Sequence, residues 1–195
     1  MTGPGSWLWF VVAVVLAFVV GSISPATMIA RRRQGDLRLG SGNPGATNAG
    51  RLLGLRYGVV VGVLDVLKGL VPALLALWLL DRFTAYAVGL AAVLGHMFSP
   101  FLRGRGGKGV ATSLGAVLAL LPWFALVMVV LFGLVVWAGR WVALASLCAA
   151  AALIVLSLAG PVPDPEVVAR TFGVAIGVLV VIRHQRNIRA ALHMV

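Results

Sequence analysis

A glycine-rich basic segment, residues 103–112, has the composition of an anion-binding loop. It reads Arg-Gly-Arg-Gly-Gly-Lys-Gly-Val-Ala-Thr. Backbone N–H groups of such a loop can converge on an anion, and a helix that follows presents its positive end to the same place. The nucleotide-triphosphatase P-loop spacing is absent, because Lys108 is followed by glycine and position 103 is Arg. We therefore expect a phosphate of a small metabolite to bind at Gly106, Gly107, Lys108 and Gly109. A flexible loop that only supplies positive charge is the structural alternative.

His96 opens this segment in the run Gly95-His96-Met97-Phe98. A histidine here could contact substrate or serve as a base. A packed histidine at the membrane interface is the alternative.

A second polar segment occupies the middle of residues 31–56. Its centre, residues 40–48, reads Gly-Ser-Gly-Asn-Pro-Gly-Ala-Thr-Asn, and Arg51 follows one helical turn later. Short polar side chains can donate to phosphate or carbonyl oxygen, and arginine can clamp an anion through two nitrogens. The candidate residues are Ser41, Asn43, Thr47, Asn48 and Arg51. The alternative is an interfacial turn in which Thr47 or Asn48 caps the next helix.

A third segment, Arg183-His184-Gln185-Arg186-Asn187-Ile188-Arg189, follows the last apolar stretch. His184 and Asn187 are three residues apart and share a face if the helix continues. A basic anchor that snorkels to the interface is the alternative. His184 and Asn187 are unusual choices for an anchor, which keeps a functional reading open.

Asp65 and Lys68 lie inside an apolar stretch, three residues apart. An ionisable pair in a membrane helix must face protein or water and is a candidate functional site. We expect a structural or orienting pair, in which Asp65 orients a basic residue of the glycine-rich segments. A mutually neutralised pair is the alternative.

The composition requires lipid as the main solvent of these elements. Of 195 residues, 61% are hydrophobic and 11% are charged, and the mean hydropathy is +1.05. The net charge of +11 reports orientation and anionic partners in a membrane protein, so nucleic acid is a poor candidate. Cys148 is the sole cysteine, which excludes an internal disulfide, and the sequence shows no metal site or cofactor motif.

Apolar stretches predict an all-α polytopic membrane protein of about seven transmembrane helices, some of them short. Their approximate bounds are Trp7–Ile29, Tyr57–Leu80, Thr84–Pro100, Ala111–Leu121, Trp123–Ala138, Trp141–Gly160 and Glu166–Ile182. Residues 111–138 could form one long span or two short spans broken at Pro122. The first stretch has no basic residues before it, so we expect it to be retained rather than cleaved.

The distribution of basic residues favours seven crossings, with the N-terminus outside and the C-terminus in the cytoplasm. This topology places thirteen of the sixteen bases in the cytoplasm: Arg31, Arg32, Arg33, Arg38, Arg51, Arg56, Arg103, Arg105, Lys108, Arg140, Arg183, Arg186 and Arg189. Arg82 and Arg170 lie outside. We expect residues 1–195 to form a single membrane-embedded domain.

In these motifs the sequence resembles the bacterial membrane glycerol-3-phosphate acyltransferases that use acyl-phosphate. The resemblance follows the whole chain in order: Gly-Ser-Gly-Asn-x-Gly-Ala-Thr-Asn with Arg51, Asp65-x-x-Lys68-Gly69, Gly95-His96-x-Phe98 before Gly106-Gly107-Lys108-Gly109-Val110-Ala111-Thr112, and Arg183-His184-x-x-Asn187-Ile188. Departures lie at Arg186, where members usually have Glu, at Ser24-Pro25-Ala26, and at Phe98-Ser99-Pro100-Phe101, where members have Phe-Pro-x-Phe.

The resemblance implies acyl transfer from acyl-phosphate to the sn-1 hydroxyl of glycerol-3-phosphate, forming lysophosphatidic acid and phosphate without a cofactor. It implies catalytic roles for Ser41, Arg51, His184 and Asn187, and a glycerol-3-phosphate loop at Gly106–Gly109. It also implies a multi-pass protein of the bacterial plasma (inner) membrane, with the site facing the cytoplasm and an acyl-phosphate-generating enzyme as a partner.

Two other functions are compatible with parts of the pattern. A transporter for phosphate metabolites would explain the intramembrane ion pair and the basic loops, but no internal repeat is evident. A CDP-alcohol phosphotransferase needs several metal-binding aspartates, and the chain has five acidic residues in all.

Overall fold

The computed structural model describes residues 4–139 and 141–192, and Arg140, assigned above to the cytoplasmic side, lies outside them. The described residues form ten α-helices and a 3-10 turn at Pro100–Leu102. The helices are α1 Pro4–Ser22, α2 Pro25–Arg32, α3 Ala46–Leu53, α4 Leu55–Leu79, α5 Arg82–Met97, α6 Val110–Leu120, α7 Pro122–Trp137, α8 Val142–Ala159, α9 Glu166–Arg183 and α10 Gln185–Leu192. The predicted all-α fold is confirmed.

Fewer helices than the predicted seven are long enough to cross a membrane. By length and composition, the described residues contain four such segments: Ser6–Arg32, Leu55–Leu79, Arg82–Leu102 and Val142–Ala159. A bent pair, α9 and α10, makes a fifth if it is one span, while α6 and α7 are shorter apolar helices. The number of crossings and the orientation of the termini stay predictions.

The first apolar stretch, predicted as one continuous span, is broken between Ser22 and Pro25. Ser24 caps α2 by accepting the Thr27 N–H at 3.3 Å, and Pro25 occupies the first turn, where its missing N–H costs nothing. Two carbonyls near the break accept side-chain hydrogen bonds. Lys68 Nζ donates to Ile23 O at 2.8 Å, and Ser99 Oγ donates to Ser22 O at 2.7 Å. The break therefore leaves these two groups satisfied within the protein.

The chain divides into two compact units, Met1–Leu120 and Leu121–Val195. In the first unit, glycines let helix pairs approach closely. A side chain at Gly21 or Gly95 would collide with the α5 or α1 backbone, and one at Gly69 or Gly115 would collide with the α6 or α4 backbone. Packing of small residues is a principal means of helix association in lipid. Gly69 and Gly115 thus allow α4 and α6 to approach closely.

A small cluster joins α2, α3 and the first turns of α4. Ala26, Ala49 and Val61 are fully buried against one another at its centre. Gly58 of α4 lies against Gly50 of α3 so closely that a side chain at Gly58 would collide with it. This contact fixes α3, which carries part of the second polar segment, on α4.

The second unit contains α7 to α10. The helix break predicted at Pro122 is confirmed, because α6 ends at Leu120 and α7 begins at Pro122. Helices α8 and α9 pack through Gly173, whose side-chain position is occupied by Ser157. Arg170 of α9 donates to the carbonyls of Ser157 and Leu158, both at 2.8 Å, near the end of α8.

Candidate active site

The polar loop before α3 is shaped by the buried side chain of Asn48. Its Oδ1 accepts the Ser41 N–H at 3.1 Å, and its Nδ2 donates to Leu37 O at 2.9 Å and Leu39 O at 3.3 Å. Gly40 has a φ of +64° and lies so close to Asn48 that a side chain would press on the amide. Asn48 thus acts as a strut for the loop, and its predicted role as a substrate ligand stays a prediction.

Neither Thr47 nor Asn48 caps a helix, which corrects the alternative considered above. Helix α3 begins at Ala46, with Gly45 as its N-cap residue. Thr47 and Arg51 are exposed on α3, Ser41 is exposed in the preceding loop, and the Ser41 hydroxyl accepts the Asn43 N–H at 3.4 Å. Exposed polar groups are thus available on this loop and helix.

The glycine-rich loop packs directly against the end of α5. Gly107 N–H donates to His96 O at 3.0 Å, and its Cα faces the His96 imidazole so closely that any side chain would collide with it. Gly106 likewise lies against the carbonyls of His96 and Met97. The amide of Gly107, predicted to face an anion, therefore donates within the protein. The glycines serve here for close backbone approach.

The loop ends at the start of a helix, as predicted. Gly109 has a φ of +81°, and its carbonyl accepts the Ser113 N–H at 2.7 Å as α6 begins at Val110. Lys108 is half-buried, and burial lowers the pKa of its ammonium group below that of an exposed lysine. A cation therefore sits beside the positive end of α6, an arrangement that attracts anions.

Asp65, Lys68 and His96 form one buried ionisable cluster. Asp65 Oδ1 lies 3.0 Å from Lys68 Nζ and 3.5 Å from His96 Nδ1, and the three side chains are 7% exposed or less. The ion pair predicted from its spacing is confirmed, and Asp65 also contacts His96, the histidine that opens the glycine-rich basic segment. The contact of Lys68 with Ile23 O was not predicted, because it joins residues 45 positions apart.

This cluster links α4 to the glycine-rich loop. Asp65 contacts His96, and the other side of the imidazole lies against Gly107. Helix α4 also packs on α3, α5 and α6. A single helix thus supports the elements that carry the candidate residues of the first unit.

In the second unit, His184 and Asn187 lie at a bend. His184 follows α9, and α10 begins at Gln185 with its axis turned by 53°, so the helix does not continue straight from His184 to Asn187. His184 is buried, and its Nδ1 lies 2.8 Å from Val180 O. Because a carbonyl can only accept, Nδ1 carries a proton and donates it to Val180 O.

Comparison with known proteins identifies the family to which this chain belongs. The family model described as glycerol-3-phosphate acyltransferase matches residues 11–194. The chain belongs to the glycerol-3-phosphate acyltransferase family. The family's membrane-embedded members are acyltransferases, so the chain is an enzyme of this class.

Relatives of this family match over nearly their whole length. A glycerol-3-phosphate acyltransferase of Aquifex aeolicus is 43% identical over 188 residues, covering 92% of this chain and 93% of the relative. One of Geobacter sulfurreducens is 44% identical over 177 residues, with 89% of each chain covered.

Two solved structures have the same fold. Crystal structures of PlsY (YgiH), an integral membrane glycerol 3-phosphate acyltransferase, in its glycerol 3-phosphate and lysophosphatidic acid forms each have a TM-score of 0.84 and cover 94% of this chain and 92% of theirs. Their identities to this chain are 42% and 41%. The family resemblance found in the motifs is therefore confirmed, and the integral membrane character of the family agrees with the apolar helices described above.

No group of three or more His, Cys, Asp or Glu side chains that could hold a metal ion lies within residues 4–139 and 141–192.

Proposed function

We propose that this enzyme transfers a fatty acyl group from acyl-phosphate to the sn-1 hydroxyl of glycerol-3-phosphate, releasing lysophosphatidic acid and inorganic phosphate. The observation that carries the proposal is Lys108, a half-buried cation in a glycine loop that leads into α6 and packs on the buried Asp65–His96 pair. A phosphate ester is the ligand that a cation beside a helix N-terminus suits best.

The reaction asks the protein mainly for positioning. Acyl-phosphate is an activated mixed anhydride, so the sn-1 oxygen can attack the carbonyl carbon while the bond to the phosphate oxygen breaks. Two anions must be held close together, against their repulsion, with the hydroxyl aimed at the carbonyl. Lys108 and Gly106–Gly109 would hold glycerol-3-phosphate, and Arg51 and Ser41 would hold and polarise the donor phosphate.

The hydroxyl proton needs an acceptor, and a phosphate oxygen of the substrate is the one we favour. His184 and Asn187 would orient the reacting groups. The Val180 contact supports an orienting role, since it holds the His184 ring in one orientation. If His184 were the base instead, His184→Ala would abolish turnover with substrate binding intact.

Asn43, Thr47, Asn48 and His96 complete the proposed binding residues, and the chain would act as one membrane-embedded domain. The proposed location is the bacterial plasma membrane, with the site facing the cytoplasm. Acyl-phosphate is reactive, so an enzyme that generates it is the expected partner.

Choice of donor tests the proposal. Detergent-purified enzyme should convert labelled glycerol-3-phosphate to lysophosphatidic acid with acyl-phosphate and not with acyl-CoA or acyl carrier protein. Product with acyl-CoA and none with acyl-phosphate would refute the donor assignment. A 2-acyl product would refute the assignment to the sn-1 hydroxyl.

A further inference from the structure

Two arginine side chains converge on the ring of Tyr57, at the start of α4. The guanidinium carbon of Arg56 lies 4.7 Å from the ring centroid, and that of Arg33 lies 5.4 Å from it. Arg56 also donates to the Tyr57 hydroxyl at 3.1 Å. Arg33 follows α2 as its C-cap residue, so the contact joins two helices. Attraction between guanidinium groups and the aromatic ring orders both side chains.

The positive charge of this cluster, Arg33, Arg56 and Tyr57, has no carboxylate partner. The chain has five acidic residues in all, and none of the ion pairs within residues 4–139 and 141–192 includes either arginine. The distances to one ring centroid place the two guanidinium carbons no more than about 10 Å apart. Like charges so close repel each other. An anion that accepts from both would remove this repulsion.

The cluster lies at the end of a lipid-facing stripe on α4. Val59, Val60 and Val63 follow Arg56 by three, four and seven positions, so they share its face of the helix. Their exposed fractions are 56%, 46% and 52%, and Leu55–Leu79 is long and apolar enough to cross a membrane. Exposed valines on such a helix face lipid. The guanidinium groups therefore lie at the level of the phospholipid head groups.

The position of Arg56 is unfavourable for the stability of α4 itself. Arg56 lies in the first turn, which contains no acidic residue. The helix dipole favours anions and disfavours cations at this end. A bound anion would be attracted both by the end of the helix and by the two guanidinium groups.

We propose that Arg33, Arg56 and Tyr57 bind the phosphate head group of an anionic phospholipid of the surrounding bilayer. The guanidinium groups donate pairs of N–H groups to phosphate oxygens. Tyr57, whose oxygen accepts from Arg56, keeps its own O–H as a further donor. A free phosphate offers the same oxygens but cannot contact the exposed valines, so lipid is the better ligand. Basic pockets between membrane helices are a recurrent type of head-group site.

A lipid bound here would tie α2 to α4 beside α3. Ala26 of α2, Ala49 of α3 and Val61 of α4 are fully buried in one cluster, so the lipid would clasp the two helices that hold α3. A ligand that binds only the folded protein raises its stability by mass action. Anionic lipid should therefore raise the unfolding temperature. The inference does not depend on the acyl donor, because the cluster contains none of the proposed active-site residues.

The test follows thermal unfolding of the detergent-purified enzyme as phosphatidylglycerol is added, with zwitterionic phosphatidylcholine of the same acyl chains as the reference. Phosphatidylglycerol should stabilise the wild-type protein more strongly. Arg33→Gln/Arg56→Gln should raise the apparent Kd for phosphatidylglycerol about tenfold or more, because charge-assisted hydrogen bonds are lost. The matched control, Arg31→Gln/Arg38→Gln, removes the same charge from exposed side chains that contact no aromatic ring among the described residues. Its Kd should stay close to that of the wild type.

A second variant, Arg33→Lys/Arg56→Lys, keeps both charges and guards against a glutamine variant that fails to fold. Lysine lacks the planar fork of arginine, so this variant should also bind phosphatidylglycerol more weakly while unfolding normally without it. Wild-type affinity in the lysine variant, or equal weakening in the Arg31→Gln/Arg38→Gln control, would reduce the effect to general surface charge and overturn the inference. Stabilisation by inorganic phosphate that disappears in Arg33→Gln/Arg56→Gln would assign the cluster to a free anion and overturn the lipid assignment.

Discussion

The charge of Lys108 depends on a half-buried ammonium group whose pKa burial lowers. Its charge is therefore lost at a lower pH than that of an exposed lysine, whose pKa is about 10.4. The phosphate of a phosphomonoester is fully ionised well below this range, with a second pKa of about 6. At alkaline pH, it is thus the loss of charge on Lys108 that should weaken the attraction between Lys108 and the phosphate.

The KM for glycerol-3-phosphate should accordingly be flat near neutral pH and rise as the pH increases through the lowered pKa of Lys108. Lys108→Arg keeps its charge throughout, so it should abolish the alkaline rise even if its KM is higher overall. Steady-state kinetics of the two proteins across pH 7–10, roughly the interval in which lysines titrate, measure this. The same rise in Lys108→Arg would assign the titration to another group.

A substitution of Asn48 can distinguish a residue that supports the loop from one that binds substrate directly. Asn48→Asp preserves shape but removes the two N–H donors to Leu37 O and Leu39 O. It also buries a charge, so the free energy of unfolding should fall by about 1–3 kcal/mol or more. Thermal unfolding in detergent should occur at a lower temperature, and kcat should fall because the loop loses its anchors at Leu37 O and Leu39 O, although the Ser41 N–H keeps an oxygen acceptor.

The exposed loop residue Arg38 provides the control for that substitution. Its side chain is 94% exposed and makes a single ion contact, at 4.0 Å, so Arg38→Ala should change neither quantity appreciably. A raised KM for substrate in Asn48→Asp with unaltered unfolding would contradict the strut and favour a direct ligand.

At the scale of elements, close helix packing depends on individual glycines. Gly69 and Gly115 face each other's helices across the contact between α4 and α6, each against backbone atoms that cannot rotate away. Gly115→Ala should therefore force the helices apart and destabilise the first unit by about 1–3 kcal/mol. The measurement is the midpoint of thermal unfolding in a fixed detergent.

Gly133→Ala in α7 is the matched control, since no described atom lies within 4 Å of the position its new methyl group would take. Alanine favours the helix over glycine by up to about 1 kcal/mol, so this variant should be neutral or stabilised. Equal destabilisation by both substitutions would show that helix packing at Gly115 is not the cause.

Most long helices could be predicted from hydropathy, because side chains that face lipid must be hydrophobic. Helices α8 and α9 end within two residues of their predicted bounds. The break at Ser22–Pro25 could not be predicted with equal ease, since its carbonyls are satisfied by Lys68 and Ser99, 45 and 77 positions away. Local sequence patterns do not indicate such distant partners.

The site residues likewise divide into features that the sequence could predict and features that it could not. Types and spacing predicted the Asp65–Lys68 pair, and the motifs identified the glycine-rich loop. What they could not predict was direction: the Gly107 amide faces His96 O, and the Asn48 amide faces the loop backbone. Ser99, which stands where the family usually has proline, donates to Ser22 O. A hydroxyl there adds a helix-terminus contact that proline could not supply.

For the whole molecule, the question is whether residues 110–137 cross the membrane once or turn back at Pro122. Helices α6 and α7 have 11 and 16 residues, about 16 and 24 Å, while the hydrocarbon core is about 30 Å thick. Each is short for a span, yet only two crossings here place the basic tail on the same side as the other basic loops. We therefore expect seven crossings.

Cysteine labelling distinguishes the two topologies, because Cys148 is the sole cysteine and Cys148→Ala gives a background free of thiols. Seven crossings place Asp164 outside and Gln185 in the cytoplasm, whereas a single crossing by residues 110–137 exchanges them. A membrane-impermeant maleimide added to intact cells should thus label Asp164→Cys and leave Gln185→Cys unlabelled until the cells are opened. The reverse pattern would place the tail carrying His184 and Asn187 outside, away from Lys108. The proposed active site could then not include them, so this experiment tests the mechanism as well as the topology.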